Sequence, residues 1–192
     1  MNNKNGAIIA VVVIIGLIFV FGFGTYNSLV NAEENVNSKW SQVENQLQRR
    51  ADLIPNLVET VKGYAAHEQE IFTEVTRARE KLISAGTVAE KAEADAELSQ
   101  SLSRLLAIVE NYPTLKADAN FRQLADELAG TENRIAVARM DYNNAVQKYN
   151  SKIRSFPTVL IARIMGFETK EYFRAEEGAH EVPKVDFSSK GE

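Results

Sequence analysis

The chain has 192 residues, of which 45% are hydrophobic and 25% charged, with four prolines and no cysteine. This composition is typical of a globular chain that buries a core, and it excludes an intrinsically disordered one. The lack of cysteine excludes thiol catalysis, iron–sulfur clusters and cysteine-based zinc sites. A net charge of −4 and a pI near 5.4 argue against nucleic acid as a partner, because its binders carry a basic face.

The first predicted element is a membrane-spanning helix from Ala7 to Tyr26, which reads AIIAVVVIIGLIFVFGFGTY. A helix of about 20 residues, with a rise of about 1.5 Å per residue, crosses a hydrocarbon core of about 30 Å. The alternative is a cleaved secretory signal, since Lys4 precedes the run and Gly22 and Gly24 near its end are small residues where a peptidase could cut. The apolar run is longer than the usual signal core of about 7 to 15 residues, so we expect a single-pass anchor within residues 1–30.

The orientation of this anchor rests on few charges. Lys4 and the free α-amino group precede the span, and Lys39 is the nearby cation after it. Because cations favour the cytoplasmic side, this small excess predicts a cytoplasmic N-terminus and an extracytoplasmic body.

For residues 31–154 the sequence predicts an antiparallel up-and-down helical bundle, with either three or four long helices. Apolar residues recur at alternating intervals of four and three, which is typical of a helix face in a bundle. Short connections between such helices make neighbours antiparallel. The stripe residues are Val36, Trp40, Val43, Leu47, Ile54, Leu57, Val61, Tyr64, Ile71, Val75, Ala78 and Leu82, then Leu98, Leu102, Leu105, Val109 and Tyr112, then Phe121, Leu124, Leu128, Thr131, Ile135, Ala138, Tyr142, Ala145 and Tyr149.

The first of these helices has two interpretations. Its period continues through Pro55 and Gly63, which favours one helix from about Ala32 to Ser84 that is kinked at Pro55. The alternative is a hairpin in which Asp52 caps a new helix and Pro55 lies in its first turn.

Later boundaries are marked by local signals. Gly86 suits a helix end, and Thr87 with Glu90 three residues later forms a capping box that begins the second helix. Pro113 ends that helix, and residues 114–118 connect it to the third.

Two polar residues, Arg50 and Glu68, interrupt the apolar stripe. Both side chains are long enough to reach solvent from a buried backbone. For Arg50 we also expect a carboxylate partner within the bundle.

Residues 155–192 differ in kind from the bundle. Ser155-Phe156-Pro157 ends the third helix, and TVLIARIMGF from Thr158 to Phe167 is apolar around Arg163. This stretch is too short to span a bilayer, so we expect a short helix that caps the open end of the bundle. The alternative is an interfacial segment on the membrane. An extended tail with Val182, Pro183, Val185 and Phe187 follows it.

The sequence predicts no catalytic, cofactor-binding or metal site, and therefore a protein that is not an enzyme. His67 lies beside Glu68 and Glu70 but lacks a second histidine one turn away, which makes a solvated surface the better interpretation. His180 has no partner of defined geometry, and no base is in reach, by spacing, of the serines on the second helix. These serines are Ser99, Ser101 and Ser103.

The stretch from Trp40 to Glu68, WSQVENQLQRRADLIPNLVETVKGYAAHE, resembles the signature of the LemA family of bacterial membrane proteins. YNSLV before it, FPTVLIARIMGF, and EYFRAEEGAHEVPKVDF near the end are similar to the same family. The resemblance implies a four-helix bundle behind one N-terminal helix of the bacterial inner membrane, with no established enzymatic activity. A fourth helix favours a turn near Pro55 or Gly63.

These features predict a membrane-anchored scaffold or interaction module that forms homo-oligomers and holds protein partners at the lipid bilayer. The alternative is a regulatory accessory subunit of a membrane enzyme such as an envelope-stress metalloprotease. That alternative is implied by the family alone, because its members often occur near such a protease.

Overall fold

The computed structural model of the protein describes residues 3–174, without the side chains of residues 3–11, 14, 15, 17 and 18. Its helices are α1 (Asn3–Lys62), α2 (Gln69–Ser84), α3 (Val88–Val109), α4 (Pro113–Ala117), α5 (Ala119–Arg154) and α6 (Thr158–Ile164). All regular structure in these residues is helical, which confirms the all-α class. Four of the helices in this range are long, namely α1, α2, α3 and α5.

The chain forms two compact units that each take part of α1 and part of α5. Among the described residues, unit 1 contains residues 3–46 and 131–172, and unit 2 contains residues 47–130 with 173 and 174. This division does not test the predicted boundaries near residues 30 and 154, which stay predictions.

In unit 1, α1 and α5 run antiparallel. Lys152 near the end of α5 donates to the backbone oxygen of Ser28, whereas Asp141 one third of the helix earlier pairs with Lys39 at 3.0 Å. The order of contacts along α5 is therefore the reverse of the order along α1, as the bundle prediction requires.

In unit 2, α2 and α3 are also antiparallel. Lys81 at the end of α2 pairs with Glu93 and Glu97 at 2.7 and 2.9 Å, early in α3. Glu74, earlier in α2, pairs with Arg104 near the end of α3. The connection between these helices is short, and it carries the predicted capping box. Thr87 Oγ1 accepts from the Glu90 amide, and Glu90 Oε2 accepts from the Thr87 amide.

The predicted apolar stripes form the core of the units. The stripe residues that are buried include Val36, Val43, Leu47, Ile54, Leu57, Val61, Ile71, Val75, Ala78 and Leu82, then Leu98, Leu102, Leu105 and Val109, then Phe121, Ile135, Tyr142 and Tyr149. Tyr64 is an exception, because it lies beyond the end of α1 and is exposed.

The predicted helix from Ala32 to Ser84 is wrong at both ends. α1 begins at Asn3 and ends at Lys62, and a loop of residues 63–68 precedes α2. The hairpin at Asp52 is also wrong, since α1 continues through Pro55. The turn near Gly63 that the family resemblance favours is confirmed. The apolar period did not reveal this loop. Because both helices face one core, the spacing of four and three residues resumes after the loop in a similar phase.

Pro55 stays inside α1 with the help of α2. A proline has no N–H, so the carbonyl four residues earlier, that of Ala51, loses its helical donor. The Nε–H of Arg79 in α2 donates to this oxygen at 2.7 Å. Because Ala51 is buried, an unpaired carbonyl there would be costly, and the guanidinium replaces the missing amide.

The second helix is shorter than predicted. α3 ends at Val109, and Pro113 lies in the first turn of α4. Most of the predicted connection of residues 114–118 is therefore helical. Proline is favoured in a first turn because the amide it lacks has no helical acceptor there, so Pro113 begins a helix instead of ending one.

No helix in the part of the chain that the structure describes is long and apolar enough to cross a membrane. Several side chains of the predicted span from Ala7 to Tyr26, at positions 7–11, 14, 15, 17 and 18, lie outside the described residues. The predicted tail beyond residue 174 lies outside them as well.

We predict that Arg79 matters because Pro55 is present. Arg79→Met should lower the free energy of unfolding by about 1 to 3 kcal/mol, because it leaves the Ala51 carbonyl without a donor. In a Pro55→Ala background the new amide supplies that donor, so the same substitution should cost less. Denaturation of the four proteins gives the coupling energy.

Arg77→Met is the matched control for this cycle, because Arg77 is exposed on the same helix. It should have little effect in either background. Equal losses from Arg79→Met in both backgrounds would show that the two residues act independently.

Candidate functional site

An apolar groove lies on the described surface of unit 1. It lies between the first part of α1 and α6 and has a volume of about 390 Å³. Its lining is almost entirely carbon. The residues are Phe19, Gly22, Phe23 and Tyr26 of α1 with Ile161, Ile164 and Met165 of α6.

The local sequence turns α6 back onto α1. α5 ends at Arg154, and the amide of Val159 donates to the Ser155 carbonyl at 2.8 Å, which starts the next helical turns. Gly166 ends α6 with φ 76°, a left-handed conformation that a side chain would strain. The ring of Phe167 then lies 5.9 Å from that of Tyr26, centroid to centroid.

Large apolar side chains at this end of unit 1 face outward. Phe156 and Ile164 are 81% and 79% exposed, more than any other large apolar residue among those described. Val20 and Phe23 of α1 are also mostly exposed. Contiguous apolar surface of this kind is uncommon on soluble monomers. The predicted short apolar helix is therefore confirmed, but its outer face is not covered within the described chain.

Polar contacts fix both flanks of α6. After it, the Asn150 amide group accepts from the Lys170 N–H and donates to the Lys170 carbonyl, each at 2.9 Å. Lys170 also pairs with Glu33 of α1 at 2.6 Å. Before it, the ammonium of Lys152 donates to the Ser28 carbonyl at 2.8 Å. These contacts hold the groove walls together without help from the apolar residues themselves.

Tyr149 is a buried polar group in the same unit. Its side chain is fully buried, and its hydroxyl has no hydrogen-bond partner among the described residues. Burial, and then the carboxylates of Glu33 and Glu168, raise the pKa of Tyr149 to about 12. The hydroxyl is therefore neutral at physiological pH and contributes volume without a hydrogen bond.

In unit 2, Arg50 and Asp95 form a buried ion pair. Arg50 Nη1 donates to Asp95 Oδ1 at 2.7 Å, and the residues are 5% and 1% exposed. The predicted carboxylate partner is confirmed, and the expectation that Arg50 reaches solvent is wrong. Glu68 lies partly buried and accepts from the Tyr112 hydroxyl at 3.1 Å. The first contact links α1 to α3, and the second links the loop after α1 to the turn after α3, so their role is structural.

The remaining candidates from the sequence do not come together. His67 is exposed in the loop after α1, and His180 lies outside the described residues. The three serine hydroxyls donate to carbonyls of their own helix. These are Ser99 to Asp95, Ser101 to Leu98 and Ser103 to Ser99.

Metal binding also finds no support in residues 3–174, where no group of three His, Asp or Glu side chains could hold an ion. Glu70 is exposed, as is its neighbour His67. The predicted lack of catalytic and cofactor sites stays a prediction.

Sequence reasoning missed the groove and its flanking contacts. The apolar stretch around Arg163 was a visible signal, but nothing in its period showed that α1 would form the opposite wall. Gly166 was the one local signal for the turn. The contacts of Lys152 and Asn150 join residues more than 15 positions apart and carry no sequence signature.

Taken together, the described residues form a protein of antiparallel helices with an apolar groove on its surface. The model of the LemA family matches residues 39–187. The chain belongs to the LemA family, as the resemblance implied.

Similar proteins carry two kinds of name. The chain is 31% identical over 186 residues to magnetosome protein MamQ 2 of Paramagnetospirillum magneticum, covering 83% of this chain and 68% of that one. It is 30% identical to MamQ of Magnetospirillum gryphiswaldense, covering 84% and 66%. It is 24% identical to protein LemA of Metamycoplasma hominis, covering 90% and 77%. None of these names denotes an enzymatic activity.

We predict that Tyr149→Phe increases stability by about 1 kcal/mol, because it removes a buried hydroxyl that has no partner. The effect should grow in alkali. The unfolded phenol loses its proton near pH 10.0 and the folded one near pH 12, so the wild type loses stability through this window. The variant should lack that loss.

Denaturation at neutral pH and at several values above pH 10 measures both parts of this prediction. Tyr172→Phe is a control, since Tyr172 is less buried than Tyr149. A lower stability of Tyr149→Phe at neutral pH would show that the hydroxyl has a partner.

Proposed function

We propose that this protein is a non-catalytic scaffold held at the bacterial membrane by the start of α1. The observation that carries the proposal is the exposed apolar surface of unit 1, where Val20 and Phe23 of α1 and Ile164 of α6 face outward. Removing such a side chain from water contributes about 1.5 to 3 kcal/mol, so several together favour insertion into hydrocarbon.

The continuity of α1 supports the same function. The helix that carries the apolar run from Ala7 to Tyr26 continues without a loop to Gln46, the last α1 residue of unit 1. A helix has no free backbone polar groups in its interior, so it can pass from lipid to water without an unpaired amide. The hydrogen bonds within α1 would thus keep the helix intact from the bilayer into the bundle.

The relatives bear on the proposal through their names alone. Two are named as magnetosome proteins, which places those proteins in a cellular structure and states no reaction. A scaffold role agrees with such names. The extracytoplasmic orientation of the bundle and the role as a regulatory subunit of a metalloprotease stay predictions.

A second copy of the chain is the partner that the surface of α5 favours. Val137 and Met140 are both 57% exposed and lie one turn apart. Val137 lines a shallow depression that also includes Arg134, Asp141 and Gln46, whose Oε1 is buried without a hydrogen-bond partner among the described residues. Arg134 and Asp141 bring opposite charges to one surface, and a two-fold contact would pair each with the other on a second copy.

The anchor is tested by alkaline extraction of membranes from cells that express the full chain. The wild type should stay in the membrane pellet. A variant with Val13→Lys and Val20→Lys should be released, because each charge within the span costs about 2.5 to 3.5 kcal/mol.

Val137→Lys is the matched control, since it adds the same charge at an exposed valine outside the apolar run. It should remain in the pellet. Release of the wild type protein at alkaline pH would contradict the anchor.

Self-association is tested by light scattering of the full chain in mild detergent. Val137→Glu with Met140→Glu should shift the protein from dimer to monomer, because the contact would bury four carboxylates. Ile83→Glu, at an exposed apolar residue of α2, should leave the dimer intact. A monomeric wild type would contradict this part of the proposal.

A further inference from the structure

The end of α5 and α6 combine exposed apolar side chains with positive charge. Residues 151–167, which we call the basic apolar segment, contain Lys152, Arg154 and Arg163 and no acidic residue. The whole chain has a net charge of −4, so this segment has the opposite sign from the protein around it.

The exposed face of the basic apolar segment carries both kinds of group. Phe156, Leu160 and Ile164 are exposed, and the last two lie one turn apart on α6. Arg154 and Arg163 are exposed beside them. Ala162 is buried and marks the opposite face. An apolar face next to cations, on a helix too short to span, is typical of segments that lie in a membrane interface.

The contacts of this segment with α1 place it at one level along that helix. Ile164 and Met165 share the groove with Phe19 and Phe23, in the last turns of the apolar run. Lys152 contacts Ser28 just beyond the run. Lys170, after the segment, pairs with Glu33 about 8 Å further along the helix.

The surroundings of α1 therefore change from apolar to ionic within a distance similar to the depth of a lipid headgroup layer, which is about 5 to 8 Å on each side of the hydrocarbon core. A bilayer around the apolar run would bring its headgroups to the level of Arg154 and Arg163. A change from apolar to ionic surroundings over this distance matches a bilayer, and nothing in the described residues here favours a protein as the partner instead.

We propose that the basic apolar segment is a second membrane contact that binds anionic phospholipids. Phe156, Leu160 and Ile164 enter the interface, while Arg154 and Arg163 bind phosphate groups. The inference rests on the proposed function, because the α1 anchor brings the segment to the bilayer. It adds a preference for lipid charge, which an apolar anchor does not have.

The test uses the natural absence of cysteine. A single cysteine is introduced into the full chain by Ser155→Cys, within the segment, and carries an environment-sensitive dye. Ser41→Cys is the matched control, since both serines are exposed and donate to the carbonyl four residues earlier. Each protein is reconstituted into vesicles of phosphatidylcholine, with or without phosphatidylglycerol, whose acyl chains are brominated to quench the dye.

We expect the dye at position 155 to be quenched when phosphatidylglycerol is present and much less in phosphatidylcholine alone. The dye at position 41 should be quenched in neither. Arg154→Gln and Arg163→Gln should each lower the ratio of quenched to unquenched protein about fivefold, which corresponds to about 1 kcal/mol per cation near an anionic surface.

Equal quenching in both kinds of vesicle, unchanged by the two substitutions, would overturn the lipid preference. Absence of quenching at position 155 in vesicles that carry the protein would overturn the contact and leave the α1 anchor standing. Flotation only with anionic vesicles, lost in the charge variants, would support the segment and contradict the anchor.

Discussion

The burial of one face along α1 is the constraint on which the rest of the structure depends. In unit 1, Val36 and Val43 are buried, and in unit 2 Leu47, Ile54 and Leu57 continue the same stripe. Each such side chain contributes about 1.5 to 3 kcal/mol when it leaves water. α5 covers the stripe in unit 1, and α2 and α3 contact α1 in unit 2. A polar residue on this stripe is tolerated only when it is paired, as Arg50 is by Asp95.

Local chemistry made much of the fold predictable from the sequence. The stripe positions, the capping box of Thr87 and Glu90, and the short helix before Gly166 depend on neighbours within a few residues, and each was found. The end of α1 at Lys62 was not, because a loop that preserves helical phase leaves no break in the apolar pattern. The effect of Pro55 also depended on a distant residue, since Arg79 supplies the donor that a single helix cannot.

The candidate site also divides into features that near neighbours in the sequence determine and features that depend on distant residues. That residues 158–167 are apolar could be read directly, but the groove needs Phe19 and Phe23 as its second wall. α6 was predicted either to cap the bundle or to lie on the membrane. The choice depends on which of its side chains are exposed, and the sequence does not show that Ile164 is more exposed than Ala162. Fold and lipid contact are thus separable here: Ala162 and the flanking polar contacts position α6, while its outer side chains are exposed.

The bond from Arg79 to the Ala51 carbonyl has a consequence for how α1 and α2 can pair. The Pro55 ring leaves an open acceptor in the interior of α1, and a side-chain donor meets it from the neighbouring helix. Sliding α2 by one turn, about 5.4 Å, would preserve much of the apolar contact but would leave that oxygen bare. Proline, usually regarded as a helix breaker, here sets the register of two helices.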